Sequence, residues 1–370
     1  MVLRAGELRI DQVPDPTPAS GQLIIRSLAC CICASDIHML HHSHRLAEWS
    51  AAHEGPFDFD PNADLVLGHE FCGEVVEVGP DCTGAFSPGD RVVSQPLVLH
   101  DRGFAVLGYS NRYPGGFAEY LAVSEALLLP VPDHVDSSTA ALMEPLSVGI
   151  QYARIGNPGE GEVPLVIGCG AIGLAVIAGL RLRGAAPIVA ADYSPLRRRL
   201  AAAAGADHVV DPTDGDPVAA WHAAAPPGSG CVIWECVGAP GLLNDLFDAA
   251  PWGARLIVAG QNLDDDTFFT AAAHTKGLNV QFGGAPHPSD YARALEAIAT
   301  GAVDVSGWQT GDVDLDGAIA AMDDSTEPDP IPRNPEHRQR LQVTKRPRPE
   351  PPREKKHDAR CVGRQTRGLL

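Results

Sequence analysis

The sequence predicts an α/β protein in which a doubly wound parallel sheet, covered by helices, is joined to a second, mostly β domain. Two patterns carry that expectation. Between about 156 and 285, strand-like runs (PLVIGC, IVAAD, HVVD, CVIWECV, RLIVAG, LNVQF) alternate with helical stretches (AIGLAVIAGLRLRG, PLRRRLAAAAG, GLLNDLFDAA). That is the order of parallel strands joined by crossover helices. Residues 1–130 read differently. LRIDQV, QLIIRSLA, EVVEVG, RVVSQ and FAEYLAV are rich in branched and aromatic residues, with Pro and Gly clusters between them, which favours short strands and turns. Length agrees, since 370 residues at about 150 per domain exceed one module.

In chain order, the β text gives way near 137 to SST followed by AALMEPLSVGIQYARI. Ser or Thr here can cap a helix whose apolar residues recur at helical spacing, and this helix links the two domains. Earlier, His41, His42, His44 and His53 lie in a polar stretch that reads as a solvated loop rather than a second metal site. Beyond the sheet, SDYARALEAIATG and DLDGAIAAMDD give one clear amphipathic helix and one short one. Residues 326–370 then hold 12 Lys/Arg, 6 Asp/Glu and eight prolines. With hardly any apolar periodicity, this basic, Pro-rich tail is expected to be disordered.

Composition excludes several classes. Hydrophobic residues at 45% and charged residues at 20% suit a chain with a sizeable core. A net charge of −19 repels phosphate backbones and anionic membranes, so neither nucleic acid nor a membrane is an expected partner. The uncharged run Val163–Leu180 is long enough to imitate a membrane span, but its Pro164, Gly168, Gly170, Gly173 and Gly179 suit a buried strand turning into a buried helix. Nine cysteines are too sparse for a disulfide scaffold and MVLRAGELRI lacks an apolar signal stretch, so a reducing cytoplasm is the expected compartment.

VIGCGAIG carries the first chemistry. Gly168, Gly170 and Gly173 form G-x-G-x-x-G straight after a strand-like run, with Ala171 and Ile172 opening a helix. The first glycine allows the tight turn, the second lets the backbone approach a pyrophosphate, and the third permits close helix–sheet packing, while the helix N-terminus offers free N–H groups. About 20 residues on, Asp192 ends the next strand-like run, where a carboxylate accepts both ribose hydroxyls. A phosphate on that ribose would sit roughly 4 Å from Asp192, where each pair of like charges costs about 4 kcal/mol at an effective dielectric near 20. NAD is therefore expected over NADP. Arg197, with Arg198 and Arg199 beside it, is the counter-argument, because an arginine here can accommodate the extra phosphate.

CCICASDIH, GHEFCGEVVEVG, PGDRV, GGFAEY and MEPLSVG, followed by VIGCGAIG and ECVG, closely resemble the zinc-dependent alcohol and polyol dehydrogenases of the medium-chain dehydrogenase/reductase superfamily. The resemblance covers roughly residues 5–323. It implies a GroES-like catalytic domain over 1–155, completed by 286–325, and a Rossmann-type NAD-binding domain over 156–285. It also implies a homodimer or homotetramer joined through the cofactor domains, with a small alcohol or carbonyl compound as substrate.

The metal ligands follow from the same resemblance. Catalytic zinc takes about three protein ligands from Cys, His and carboxylate and keeps one position open. In the family pattern the cysteine before a small residue and Ser-Asp binds the metal, which picks Cys33 over Cys30 and Cys31. The His of Gly-His-Glu gives His69, and the Glu of EPLSVG gives Glu144 as a direct or water-mediated partner. Glu70 is a further metal-site residue, since the polyol branch uses the carboxylate after the histidine as a ligand or holds it just behind the metal. Asp36 stands where the family places the carboxylate that orients the zinc-bound histidine, and Ser35 with His38 fits a proton relay. Many relatives hold a second, structural zinc on four closely spaced cysteines, but SQPLVLHDRGFAVLGYSNRYPGG has none, so one catalytic ion is expected.

The activity implied is NAD-dependent oxidation of a secondary alcohol or polyol hydroxyl, or the reverse reduction. Two rivals stand beside it: a zinc-free NADPH quinone or enone reductase of the same superfamily, and a cofactor-binding protein made inert by its ending. The second arises because the family closes with a short apolar strand that the text after about 324 lacks, as a shifted reading frame would produce.

Overall fold

The computed structural model describes residues 1–325; the expectations for the tail lie outside the described residues. The chain opens with β1 (Val2–Arg4), β2 (Glu7–Arg9) and β3 (Gln22–Cys31), then turns into α1 (Ala34–Ala52). β4 (Leu65–Val66), β5 (Glu70–Val78), β6 (Arg91–Ser94), the hairpin β7 (Leu97–His100) and β8 (Gly103–Val106), β9 (Tyr120–Ser124) and β10 (Leu128–Pro130) complete the β region. α2 (Ser137–Ala141) and α3 (Met143–Gly156) lead into β11 (Glu162–Ile167), α4 (Ala171–Leu182), β12 (Val189–Ala191), α5 (Pro195–Ala204), β13 (His208–Val210), α6 (Pro217–Ala224), β14 (Gly230–Glu235), α7 (Leu242–Ala249), β15 (Arg255–Val258), α8 (Thr270–Lys276) and β16 (Asn279–Phe282). α9 (Pro288–Ala299) and α10 (Leu315–Ser325) follow.

The second half is a doubly wound sheet in the order β13-β12-β11-β14-β15-β16, with every neighbouring pair parallel. Its central strands are apolar on both faces: Leu165, Val166, Val232, Ile233 and Trp234 are fully buried, as a sheet with helices on both sides requires. The strand order reverses between β11 and β14, so the loops leaving those two strands flank the crevice where such sheets take their ligands. Val163–Leu180 resolves into β11 and α4, and among the described residues no helix is long and apolar enough to cross a membrane.

The first half is antiparallel. A five-stranded sheet runs β10-β6-β5-β3-β9 beside a three-stranded β2-β1-β4, around a core of Leu23, Ile25, Phe71, Val75, Val92 and Leu121. Two expectations need correction here. The histidine-rich stretch after residue 38 is helix, not solvated loop: α1 continues to Ala52, anchored by buried Met39, Ser43 and Ser50. The linking helix is capped by neither Ser nor Thr; Asp136 accepts the Thr139 N–H at 2.9 Å, and the helix is broken at Leu142 into α2 and α3.

Small residues set how the two halves meet. A Cβ on Gly149 of α3 would lie 2.1 Å from the backbone carbon of Ala175 in α4, so the helices cross almost backbone to backbone. α3 carries Glu144 in its first turn and α4 begins at the glycine turn, and their crossing fixes the distance between those two ends. α9 packs Tyr291, Ala294 and Ile298 into the same cluster as Val93 and Val135 of the β region and Ala175 of α4. α10 brings Ala318 and Met322 against Met1, Leu3 and Met39.

Candidate active site

Strand register brings three of the expected metal-site residues together. β3 and β5 are antiparallel with Cys31 opposite Glu70, so the chain leaving β3 passes the residue that enters β5. Cys33, two residues further, is the N-cap of α1. Cys33 Sγ, a ring nitrogen of His69 and a carboxylate oxygen of Glu70 all lie within 4.8 Å of one another. Neighbours on one strand point to opposite faces. His69 and Glu70 share a site because His69 precedes β5 and follows Gly68, whose φ of +96° bends the chain. A Cβ at Gly68 would also lie 2.8 Å from Cys30 Sγ and 2.9 Å from the Phe117 nitrogen, so only glycine fits there.

Asp36, on the first turn of α1, is fully buried. It accepts the Cys33 N–H at 3.0 Å and the Gly68 N–H at 3.1 Å, and its Oδ1 stands 3.4 Å from His69 Nδ1. His69 Nδ1 has no hydrogen-bond partner of good geometry. The ring is turned toward the carboxylate without being seated on it, and its other nitrogen is the one left for an ion. Glu144, at the start of α3, is buried but stands outside the group of three. Ser35 lies on the first turn of α1 and His38 one turn beyond it.

The ionisation of these groups bears on what the cluster can hold. Burial, then the Glu70 carboxylate, pushes the Cys33 thiol up to about 12. Burial raises Glu70 against the pull of His69 and takes Glu144 to about 8, with Glu70 and Asp36 adding to the rise. Around His69 burial works against the charged ring, but Tyr109, Asp36 and Cys33 push its pKa well above the usual histidine value. A thiol and two carboxylates buried this close resist ionising together unless a cation compensates them. Sulfur, imidazole and carboxylate are the donors that select zinc, and the residues present fit that ion.

Sequence reasoning missed Tyr109. Its ring centroid lies 5.7 Å from that of His69, with the rings tilted at 51°, so it packs against the expected metal-site histidine. A lone aromatic in a loop has no spacing that would reveal it.

The dinucleotide turn is assembled differently. Gly168 has φ +87°; a Cβ on Gly173 would lie 1.9 Å from the Gly168 carbonyl, and one on Gly170 would meet nothing within 4 Å. The first glycine bends the chain, the third lets α4 pack on the turn, and the second leaves open space for a pyrophosphate. Ala171 and Ile172 open α4, where helical N–H groups have no intrahelical partner. Asp192 follows β12 and is held by the N–H groups of Cys169 at 2.7 Å and Ser194 at 2.8 Å. Arg198 donates to the Asp192 and Tyr193 carbonyls, each at 2.8 Å, and pairs with Asp211 at 2.8 Å. Arg197 sits in the first turn of α5, capped by Ser194, near enough to act electrostatically on Cys169.

Comparison with known proteins identifies the family. Residues 19–133 match the alcohol dehydrogenase GroES-like domain, and residues 171–300 match the zinc-binding dehydrogenase domain. The (R,R)-butanediol dehydrogenase of Bacillus subtilis is 32% identical over 266 residues, covering 68% of this chain and 74% of its own. The chain belongs to the zinc-type medium-chain alcohol and polyol dehydrogenases. Among these dehydrogenases, the sorbitol dehydrogenase of Gallus gallus is 31% identical over 277 residues, 70% of this chain and 74% of its own. The solved 2R,3R-butanediol dehydrogenase of Bacillus subtilis superposes with a TM-score of 0.71 at 26% identity, covering 87% of this chain and 93% of that one. A zinc-binding dehydrogenase of Sinorhizobium meliloti, solved bound to NADP, gives 0.71 at 27% identity over 86% and 93%. The GroES-like and Rossmann-type architecture of the family is the one described above.

Proposed function

We propose that this dehydrogenase oxidises a secondary alcohol or polyol hydroxyl with NAD, using one zinc ion held by Cys33, His69 and Glu70 with Glu144 behind them. The observation that carries the reading is the convergence of those three donor atoms within 4.8 Å, on the domain that α3 ties to the dinucleotide turn. When bound, the ion supplies Lewis acidity toward the substrate oxygen and the dinucleotide accepts hydride.

The chain's own residues supply the rest. Asp36 orients His69 and favours the tautomer that leaves the distal nitrogen unprotonated. Ser35, beside the ligand Cys33, takes the hydroxyl proton and passes it to His38. Burial, and the neighbouring His42 and His41, lower the pKa of His38, so the imidazole is neutral at pH 7 and ready to accept. Tyr109 packs its ring against that of His69 and helps hold it in place.

Asp192 supports NAD. It is buried and anchored at the strand end, and Arg198 is already engaged with two carbonyls and Asp211, so it is not free to welcome a ribose phosphate. The relative solved with NADP makes this preference one to be measured. The assembled Cys-His-Glu set disfavours the zinc-free reductase. For assembly we favour a dimer or tetramer through the sheet edge, where β16 is terminal and leaves Phe282 64% exposed. Zinc quantification on purified protein, followed by a panel of secondary alcohols and polyols with NAD and NADP, tests the reading. Stoichiometric zinc with chelator-sensitive NAD reduction is expected; full activity without zinc overturns it.

A further inference from the structure

Around His38, which the proposed relay uses, the histidines of α1 form a cluster that the reaction does not otherwise absorb. His38 and His42 are one turn apart, so their side chains share a helix face, and their ring centroids are 6.2 Å apart at 34°. Across from them is the loop after β15: Asp264 Oδ1 stands 3.8 Å from His42 Nδ1, and the same carboxylate acts on His38. Two ligands of one tetrahedral zinc are about 3.3 Å apart, and two imidazole rings sharing it have centroids about 5 Å apart. The His42–Asp264 pair therefore stands open by about 0.5 Å and the two rings by about 1 Å; the three donors do not all lie within 4.8 Å of one another as those of Cys33, His69 and Glu70 do, so side-chain rotation has to close the site. They lie nine residues or fewer along α1 from Cys33, so at most about 13 Å down the axis.

We propose that His38, His42 and Asp264 form a second, inhibitory site for zinc or another imidazole-preferring divalent ion, bridging α1 and the nucleotide-domain loop. Two imidazoles and a carboxylate suit zinc rather than magnesium or calcium, which take all-oxygen shells. His41, whose ring is 6.4 Å from that of His42, stands by as an alternative donor. Arg45 competes, with Nη1 3.8 Å from Asp264 Oδ1, but it also holds Asp265 and keeps that partner when the ion takes Asp264. Occupancy ties α1 to the loop and engages the imidazole that would receive the proton, so binding slows turnover. The inhibition rests on His38 acting as the relay; the binding does not.

The test is equilibrium dialysis of the zinc-loaded enzyme against rising free Zn2+, with metal counted per chain and NAD reduction followed in parallel. One further ion per chain is expected, with activity falling as it fills. His42→Ala and Asp264→Asn should each raise the zinc concentration for half-uptake, read by metal counting, tenfold or more. Arg45→Ala, by removing the competing cation, should lower it. Cys33→Ser should lose the catalytic ion and keep the second uptake, so failure of the catalytic reading is told apart from failure of this one. An uptake that His42→Ala and Asp264→Asn leave unmoved, or no further ion up to millimolar zinc, overturns the proposal.

Discussion

The metal centre and the dinucleotide turn are built on opposite plans. The turn is contiguous: Gly168, Gly170 and Gly173 make it with backbone alone, and their absent side chains are its working parts. The proposed metal centre gathers Cys33, His69 and Glu70 from a helix cap and a strand entrance, with Glu144 of a second helix outside that group, and all its chemistry lies in side chains. A site made of backbone fails when atoms are added. A site made of convergent side chains fails when one is removed or when the elements carrying them shift. The two plans should therefore break separately, except where α3 and α4 hold them together.

The largest effect expected is at the convergent site. Cys33→Ser or His69→Ala should lower kcat/KM by about 10³-fold or more, since the ion and its charge stabilisation go with the ligand. Either variant should still bind NADH by fluorescence titration. Gly173→Ala should do the reverse, keeping zinc by metal analysis and losing NADH binding, because the added carbon falls 1.9 Å from the Gly168 carbonyl.

At the junction, Gly149→Leu should damage both sites at once. Its side chain must enter the α3–α4 contact, where even a Cβ sits 2.1 Å from the Ala175 backbone. Overpacking of that kind costs about 3 kcal/mol or more, seen as a thermal midpoint lower by roughly 4 °C or more. Asp192→Ala tests the carboxylate proposed to discriminate at the backbone site. Wild type should favour NAD over NADP by more than tenfold in kcat/KM, and the variant should approach parity, as expected when a like-charge repulsion of about 4 kcal/mol at its upper end is removed.

A smaller effect separates the sites by pH. In metal-stripped protein, burial holds Glu144 near 8 and raises Glu70 above its ordinary value, so the folded chain binds more protons than the unfolded one. That contribution to stability is fully present below the unfolded value near 4.5 and is lost as pH rises toward 8. The thermal midpoint of the stripped enzyme should therefore fall by a few degrees between pH 5 and 8, relative to the zinc-loaded form.

The same contrast explains what could be read from the text. The glycine turn was legible because its spacing is its function, and the six strands of the parallel sheet were legible because each is a short apolar run. The helix α1 was not: its histidines and serines are modest helix formers, and Met39 with two buried serines gives no clear stripe. The positions of Glu70 and Glu144 relative to the other ligands were also left open, since adjacent strand residues normally face apart and only the bend at Gly68 brings His69 and Glu70 to one side. Tyr109 entered through a contact between distant loops, which no local pattern records. Helices α6 and α8 were unread because short Ala-rich segments carry little periodicity.

X-ray absorption at the zinc edge of the dialysed enzyme addresses the central claim most directly. One zinc per chain with a single sulfur near 2.3 Å and the remaining nitrogen and oxygen neighbours near 2.0–2.2 Å is the result predicted by a Cys33, His69 and Glu70 centre. A shell of several sulfurs, or the same single-sulfur shell surviving in Cys33→Ser, would contradict it.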